Sequence, residues 1–254
     1  MPERTLIFAD LHEPDDNVIG RIEAVIADDK PDRVVFLGDY FDRFDDESVE
    51  GIRRTAEWLR ESLCDPRRTH LFGNHDLPYF FRSDAASCPG WSVEKQSEFD
   101  RILGAEFAPQ FAFFAMIDGW LLTHAGLAAK WVPEVVRDSS HHVGKWLDKE
   151  SANARMSYFF GAGHWFSARG VERGGYCDAG GILWCDFCEK KWAGRQIFGH
   201  TPGHVPRAVG ASICLDTNIG GKADWYALIE GGELVAKHLW NASTPAQVFD
   251  PIST

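Results

Sequence analysis

TLIFADLH (residues 5–12) and RVVFLGDYFDR (residues 33–43) carry the pattern that decides the fold: a short apolar run ends in a residue that can bind a metal ion. The pattern returns in HLFGNHD (70–76), WLLTHAG (120–126) and QIFGHT (196–201). Each run is β-branched or aromatic and is followed by a turn residue, which is typical of a buried strand. In open α/β sheets, ligands bind outside the carboxyl ends of the strands. We therefore expect these strand ends to meet at one site.

The composition is that of an ordinary globular protein and limits the classes of partner. The chain has 254 residues, of which 44% are hydrophobic and 25% are charged. Its net charge of −12 disfavours loose attraction to nucleic acid or anionic lipid. The longest uncharged apolar stretch, from Phe111 to Ile117, is too short to span a bilayer. The first residues lack a basic and an apolar region of the kind that signal peptides have, so we expect no signal peptide. We expect a cytoplasmic protein that binds neither nucleic acid nor membranes.

Apolar residues at helical spacing follow the first strands. The residues that mark these helices are Val18, Ile22, Val25 and Ile26, then Ile52, Ala56, Leu59 and Leu63, then Phe99, Ile102 and Leu103. Strands that alternate with helices predict parallel βαβ units with right-handed crossovers.

The second half of the chain has a different pattern within what we interpret as a single domain, residues 1–254. Residues 125–194 are rich in tryptophan and glycine and predict a helical and loop insertion that borders the site. Short β-like segments follow at 212–215, 225–229 and 233–237, and the turn at Gly231-Gly232 predicts a hairpin. We interpret these segments as a second, more antiparallel sheet packed on the first.

The six cysteines indicate free thiols rather than a zinc site. Cys185 and Cys188 have CxxC spacing, with Cys177 upstream, but a structural zinc site needs a fourth ligand and there is no second pair of this kind. Buried free cysteines are the interpretation that we favour.

The residues at the strand ends have the chemistry of a metal site. Asp10 and His12 are two positions apart, so an extended segment places both on one face. Asp39 follows its strand directly, and a carboxylate can bridge two cations with its two oxygens. Asp42 and Arg43 come next, where they can orient a base and bind a phosphate. Each motif alone is more often a surface turn or a salt-bridge loop.

GNHD at residues 73–76 is the most specific motif. The side-chain oxygen of Asn74 is an uncommon but sound metal ligand, and His75 beside it can deliver a proton to a leaving group. His124 and His200 complete the set. A single histidine of this kind is more often structural. His124 and His200 are informative together, because each repeats the pattern of a possible ligand after an apolar run.

These residues, in this order, resemble the calcineurin-like metallophosphoesterase superfamily over essentially the whole chain. The shared pattern is DxH, GDxxDR, GNH followed by an acid, and two later histidines at strand ends. GDYFDR, THAGL, LWCD (Leu183 to Asp186), FGHTP and LDT (Leu215 to Thr217) resemble its phosphoprotein-phosphatase branch, which includes the diadenosine tetraphosphatases. The fold that the resemblance implies is α/β, a four-layer αββα sandwich of two mixed β-sheets flanked by helices.

The resemblance also implies the roles of the site residues. Asp10 and His12 bind a first metal, Asp39 bridges to a second, and Asn74, His124 and His200 bind that second metal. His75 is the general acid, oriented by Asp42, and Arg43 contacts the phosphate. Two divalent ions are implied, Mn²⁺ first, with Zn²⁺, Fe or Ni²⁺ as alternatives, and a hydroxide that bridges them is the expected nucleophile.

Three positions depart from the family pattern. Glu13-Pro14 stands where many members have glycine, and Phe44 follows the aspartate–arginine pair where glycine is usual. Pro202 takes the slot of a further metal-binding histidine, so we leave the next one, His204, out of the ligand set. A second phosphate-binding arginine is expected in the insertion, and Arg173 is the best candidate.

The expected function is hydrolysis of phosphomonoesters, as in serine/threonine phosphatases. The substrate is then a phosphoprotein, a nucleotide or a phosphorylated small molecule. A diadenosine tetraphosphatase-like hydrolase of phosphoanhydrides, or a phosphodiesterase, is the alternative, and a nuclease is disfavoured by the charge. A non-catalytic metal-binding scaffold is the alternative of another class, which the complete ligand set and His75 disfavour.

Overall fold

The computed structural model describes residues 2–43, 48–82, 88–219 and 223–249, and Phe44 lies outside these ranges. The helices are α1 (Asp16–Asp29), α2 (Glu50–Ser62), α3 (Leu77–Phe81), α4 (Val93–Ile102) and α5 (Ser140–Phe159). The strands are β1 (Arg4–Phe8), β2 (Arg33–Phe36), β3 (Arg68–Leu71), β4 (Phe111–Ala112), β5 (Phe114–Ile117), β6 (Trp120–Thr123), β7 (Gln196–Phe198), β8 (Arg207–Val209), β9 (Ser212–Cys214), β10 (Trp225–Glu230), β11 (Glu233–His238) and β12 (Gln247–Phe249).

The strands form two mixed sheets. The seven-stranded sheet has the order β12-β11-β10-β1-β2-β3-β4, and the five-stranded sheet has the order β5-β6-β7-β9-β8. β1 to β4 are parallel, as the strand–helix alternation predicts, and β10 to β12 add to them antiparallel. In the smaller sheet, β6, β7 and β9 are parallel, whereas β5 and β8 are antiparallel edge strands.

Alternating side chains place each sheet between two apolar layers. In β1, Ile7 points to the cluster between the sheets, whereas Leu6 points to the outer cluster with α1 and α2. In β6, Leu122 joins the inner cluster and Leu121 the outer one, where α5 packs. Successive side chains of a strand point to opposite faces, so a strand that is buried on both faces has apolar residues at consecutive positions. The predicted α/β architecture, two mixed sheets flanked by helices, is confirmed.

The helices follow local signals in the sequence. Asp15 caps α1, since its carboxylate accepts the backbone N–H of Val18, and Lys30 ends the helix in the left-handed conformation. Ser92 caps α4 by accepting the N–H of Lys95. The buried face of α1 consists of the four apolar residues at helical spacing that predicted it: Val18, Ile22, Val25 and Ile26.

One prediction about the sheets is wrong. The segments after His200 do not form one antiparallel sheet, because β9 belongs to the five-stranded sheet while β10 and β11 extend the seven-stranded one. The hairpin itself is confirmed: Glu230 pairs with Glu233 across Gly231 and Gly232, whose φ values of 62° and 81° suit a tight turn. β10 pairs with β1 across more than 200 positions of the chain, and the sequence near either strand does not indicate this pairing.

The stretch between β6 and β7 contains α5 and short 3₁₀ turns, and extends over the region predicted as an insertion. None of the six cysteines forms a disulfide, all six lying in the described residues. Cys88, Cys185 and Cys214 are buried, whereas Cys64 and Cys188 are exposed, so burial was predicted wrongly for those two. Among the described residues, no helix has the length and apolar character that crossing a membrane requires.

Candidate metal centre

Loops from both sheets meet at one place. β1, β2 and β3 of the seven-stranded sheet and β6 and β7 of the five-stranded sheet lead into these loops. Two groups of side chains have ligand atoms that all lie within 4.8 Å of one another: Asp10, His12 and Asp39, and Asp39, His124 and His200. Because Asp39 belongs to both groups, the two candidate metal positions are adjacent.

Backbone carbonyls fix the tautomers of two histidines. Nδ1 of His12 lies 3.0 Å from the carbonyl oxygen of Phe41, and Nδ1 of His124 lies 3.0 Å from that of Leu37. Since a carbonyl only accepts, each Nδ1 carries a proton, and Nε2 is the nitrogen of each ring that can bind a metal ion. The two Nε2 atoms lie 3.7 and 3.3 Å from Oδ2 of Asp39. Burial lowers the pKa of His12, which disfavours a second proton on its ring. Nε2 of His12 and Oδ2 of Asp39 then face each other as two acceptors, and a cation between them would remove their repulsion.

The second group has the same excess of acceptors. Nε2 of His124 lies 2.9 Å from Oδ1 of Asn74 and 3.1 Å from Nδ1 of His200. The amide nitrogen of Asn74 donates to Sγ of Cys88 at 3.3 Å, so the amide oxygen faces the histidines. Burial, followed by the charges of His124 and Arg173, lowers the pKa of His200 well below its ordinary value.

Asp39 presents one carboxylate oxygen to both groups. Its Oδ1 accepts the backbone N–H of His75 at 2.9 Å, whereas Oδ2 faces the histidines. Oδ2 is therefore the oxygen of Asp39 that would be available to metal ions at either group. Burial acts to raise the pKa of Asp39, but the charges of His124 and His75 lower it well below its usual range. The loops approach closely because Gly38 has a φ of +96°, and a Cβ there would lie 2.3 Å from the nitrogen of Gly73.

Buried acids crowd the first group. Asp10 and Asp216 are only 1% and 3% exposed. Burial and the charges of Asp216 and Asp39 raise the pKa of Asp10 well above its usual range. Burial, with the charge of Asp39, raises the pKa of Asp216 to about 7. Oδ1 of Asp10 accepts the N–H of His200 at 2.8 Å, but within the described part of the chain its buried Oδ2 has no hydrogen-bond partner. A cation would satisfy this oxygen.

The residues present fit two divalent metal ions. Carboxylate, amide and imidazole donors suit Mn²⁺, Fe, Ni²⁺ and Zn²⁺, and the donors alone do not select among them. Metal-binding histidines usually donate their other ring N–H to a carbonyl or carboxylate, as His12 and His124 do here.

His75 lies beside the ligand groups without joining either. Its Nδ1 lies 3.0 Å from Oδ2 of Asp42, whose other oxygen accepts the hydroxyl of Tyr79 at 2.6 Å. Burial disfavours the imidazolium, but the charge of Asp39 and the hydrogen bond to Asp42 raise the pKa of His75 well above its ordinary value. A protonated ring held in this way can act as a general acid.

Asp76 cross-links the two loops that carry Asp39 and Asn74. Its carboxylate accepts the backbone N–H groups of Asp39 and Tyr40, both at 2.9 Å, and that of Gly73 at 2.7 Å. The acid of the GNHD motif therefore organises the loops and lies fully buried. Burial and the charge of Asp39 raise the pKa of Asp76 to about 7.

The remaining candidates lie around the site. Arg43 is half-buried in the loop after β2. Arg173 contacts the GHTP loop: its Nη2 donates to the hydroxyl of Thr201 at 2.7 Å, and its Nε lies 2.7 Å from the carboxylate of Asp186. His204 is exposed and joins neither ligand group, which agrees with its exclusion from the ligand set.

Several residues of the site were not identified from the sequence. Asp216 follows β9 as Asp10 follows β1, so the strand-end rule itself could have identified it. Asn218 donates to the carbonyl oxygen of Asp10 at 2.7 Å. Sγ of Cys88 lies 3.3 Å from Nδ1 of His75. Neither Asn218 nor Cys88 directly follows a strand, and no local signal marks them.

Comparisons with known proteins find structures of similar fold. The structure is similar to that of the cold-active protein-tyrosine phosphatase of a psychrophilic Shewanella species, with a TM-score of 0.59 and 14% identity over 98% of this chain and 81% of that chain. A putative diadenosine tetraphosphatase gives a TM-score of 0.48 and 15% identity over 95% of this chain and 96% of that chain. At such identities the likeness concerns the fold alone. A comparison with curated proteins finds no match.

The family is shown by the sequence model of the calcineurin-like phosphoesterases, which matches residues 3–204, most of the chain. The match includes every candidate ligand from Asp10 to His200. The chain therefore belongs to the calcineurin-like phosphoesterase family and is a metallophosphoesterase, a hydrolase of phosphoric esters.

Proposed function

We propose that this protein is a phosphatase with a dinuclear metal centre, and that phosphomonoesters, such as those of phosphoproteins, are its substrates. The observation that carries the proposal is the position of Oδ2 of Asp39 between two histidine Nε2 atoms whose rings are fixed by backbone carbonyls. Such an arrangement of acceptors is stable with cations and unfavourable without them.

Each residue has one role in this proposal. The first metal is held by Asp10 and His12, the second by Asn74, His124 and His200, and Asp39 is shared. Mn²⁺ is the metal we propose first. When bound, the two ions supply positive charge for the phosphate oxygens and lower the pKa of a water molecule.

The protein side chains handle the leaving group and the substrate. His75 donates a proton to the departing oxygen, and Asp42 keeps its ring in place through the 3.0 Å contact with Nδ1. Arg43 binds the non-bridging oxygens of the phosphate, with Arg173 as a second cation on the opposite loop. No serine or cysteine nucleophile is required. The cytoplasmic location stays a prediction.

A phosphoanhydride hydrolase that acts on dinucleoside polyphosphates is the second candidate, and Trp184 favours it. The half-buried ring of Trp184 lies 5.4 Å from that of His200. Arg169 covers one face of the ring at 4.2 Å from its centroid, so a base would stack on the other face or displace Arg169. Trp165 stacks instead between Trp131 and Trp146, at 5.2 and 5.4 Å, within the packing around α5. One tryptophan beside the ligands is limited support for recognition of a base, so we propose hydrolysis of phosphomonoesters first.

The test is hydrolysis of p-nitrophenyl phosphate by chelator-stripped protein before and after addition of Mn²⁺. We expect Mn²⁺ to restore activity in the wild type and in His204→Ala, since His204 lies outside both ligand groups. His200→Ala should stay inactive. Equal activity of the two variants would contradict the assigned ligand set, and no activity with any divalent metal would contradict the monoesterase.

Comparison of substrates separates the two candidates. A phosphopeptide and diadenosine tetraphosphate are offered to the Mn²⁺-loaded enzyme at equal concentration. A higher kcat/KM for the phosphopeptide supports the first proposal. A higher value for the dinucleotide, together with loss of that preference in Trp184→Leu, supports the second.

A further inference from the structure

A buried ion pair lies next to the loop that carries Asp42 and Arg43. Lys95 on α4 places its Nζ 2.9 Å from Oε1 of Glu13, and the two side chains are 2% and 0% exposed. Lys95 belongs to the first turn of α4, where the helix dipole disfavours a positive charge. Burial of a pair of charges stabilises a fold weakly at best, because desolvation offsets the attraction. Packing alone therefore does not account for this pair.

Glu13 binds the loop that carries Asp42 and Arg43. Its Oε1 accepts the backbone N–H of Asp42 at 3.2 Å, and the backbone N–H of Arg43 also donates to its carboxylate. Its own N–H donates to the carbonyl of Tyr40 at 2.7 Å. One carboxylate thus holds the two residues that, in the proposed function, orient the general acid and bind phosphate.

The backbone at this position is strained. Glu13 has a φ of 54°, in the left-handed region that favours glycine, and Asp42 has a φ of 64°. Glycine would adopt this φ without strain, so this chain has a larger side chain where a smaller one would be less strained. Gly51 of α2 leaves the space for it, since a Cβ there would lie 2.0 Å from Oε2 of Glu13. Strain that the surroundings maintain in this way indicates a functional constraint.

We propose that Glu13, neutralised by Lys95, is a positioning residue for the proposed reaction. It fixes the backbone of Asp42 and Arg43, and through the contact of Asp42 with Nδ1 of His75 it sets the orientation of the general acid. The expected effect of Glu13 on the rate rests on the proposed function, whereas its expected effect on the orientation of His75 rests on the geometry alone.

Two double variants separate positioning from charge pairing. Both Glu13→Gln/Lys95→Met and Glu13→Ala/Lys95→Met remove the buried charges, but only the first keeps a side-chain oxygen that can accept from Asp42 and Arg43. We expect Glu13→Ala/Lys95→Met to bind two Mn²⁺ ions and to lose about 10–100-fold in kcat on alkyl phosphates. Its loss on p-nitrophenyl phosphate should be smaller, because that leaving group needs little protonation. Glu13→Gln/Lys95→Met should stay within a few fold of the wild type.

A readout that needs no activity is the ¹H–¹⁵N signal of the Nδ1–H of His75 in the metal-free protein, identified by its loss in His75→Asn. We expect the signal to be kept in Glu13→Gln/Lys95→Met and to be shifted or broadened in Glu13→Ala/Lys95→Met. If the wild type hydrolyses no phosphate ester, the proposed function fails, and this signal alone decides the positioning role. The positioning role is overturned if the signal is unchanged in both double variants, or if the two double variants hydrolyse alkyl phosphates at equal rates.

Gly51→Ala provides the same test if Glu13→Ala/Lys95→Met does not fold. The new methyl group displaces the Glu13 carboxylate, so we expect the same selective loss on alkyl phosphates and the same change in the His75 signal. Gly20→Ala is the matched control, because Gly20 also lies within a helix and nothing is within 4 Å of a Cβ at that position. Behaviour of Gly51→Ala identical to that of Gly20→Ala overturns the proposal.

Discussion

The two sheets contribute different chemistry to the site. Loops from the seven-stranded sheet supply the carboxylates Asp10 and Asp39 together with His75, whereas β6 and β7 of the five-stranded sheet lead into His124 and His200. The first set of loops has strained backbone, with positive φ values at Asp10, His12, Glu13, Asp39 and Asp42. Side-chain hydrogen bonds also cross-link these loops. On the other side, His200 has a positive φ and His124 does not.

The difference separates two tasks. The shared carboxylate of Asp39, the carboxylate of Asp10 and the proton donor come from one sheet, where buried carboxylates and backbone N–H groups hold each other in place. The other sheet adds two imidazole ligands, together with the buried Asp216 after β9, on strands that are buried throughout. We expect changes in the first sheet's loops to affect both metal binding and chemistry, and changes in the second to act mainly on the second metal.

The largest effect is expected from Asp39→Asn, because this residue is shared by both ligand groups. Metal content, measured by plasma mass spectrometry after Mn²⁺ loading and gel filtration, should fall from two ions per chain to one or none. Activity should fall by more than the 10–100-fold that loss of a supporting residue costs. An unchanged stoichiometry of two would contradict the shared position of Asp39.

His75→Ala is expected to lower kcat on alkyl phosphates by about 10²–10⁴-fold, since the proton donor is lost. Metal content should stay at two, because His75 joins neither ligand group. The loss should be smaller on p-nitrophenyl phosphate. A steady-state comparison of the two substrates checks this, and equal losses on both would rule out the general-acid role.

A smaller effect on stability is expected from Asp76→Asn, which places an amide group among three backbone N–H donors. Loss of buried hydrogen bonds costs about 1–3 kcal/mol, and urea unfolding measures it. Gln196→Met is the comparison in the other sheet, where Gln196 bonds to the backbone of Leu127 and Trp192. Both should destabilise, but only Asp76→Asn should weaken Mn²⁺ binding. Equal Mn²⁺ affinities would contradict the division of tasks.

The smallest effect is a pH dependence of stability that originates in the seven-stranded sheet. His70 of β3 is buried between the hydroxyls of Tyr40 and Ser62, and burial, with the charge of Arg68, lowers its pKa to about 3. Between pH 6.5 and 3 the unfolded chain binds a proton that the folded state does not, so stability falls as the pH is lowered. We expect His70 to contribute a slope of about 1 kcal/mol per pH unit, measured as the difference between the wild type and His70→Gln. Unfolding curves between pH 7 and 5 with the same slope in both proteins would contradict this.

Much of the fold and of the candidate site followed from local sequence. The apolar runs before Asp10, Asp39 and His124 predicted strands within a residue or two of their bounds, because a buried strand needs apolar residues on both faces. The same rule placed the candidate ligands next to one another without any knowledge of the strand order.

What local sequence could not provide was pairing over long separations. Leu6 pairs with Leu228 where β1 meets β10, so the late hairpin belongs to the first sheet rather than to the second. The contact of Glu13 with Lys95 spans 82 positions, and neither residue has a pattern that indicates the other. Such pairs depend on how the helices pack, which only the assembled fold determines.

The central claim is that two metal ions share Asp39. The most direct test is electron paramagnetic resonance of the chelator-stripped protein during titration with Mn²⁺. We expect a multiline, exchange-coupled signal that grows as the second equivalent binds, since two ions that share Asp39 would be close. Two equivalents that bind with the six-line spectrum of isolated Mn²⁺ throughout, or saturation at one equivalent, would contradict it.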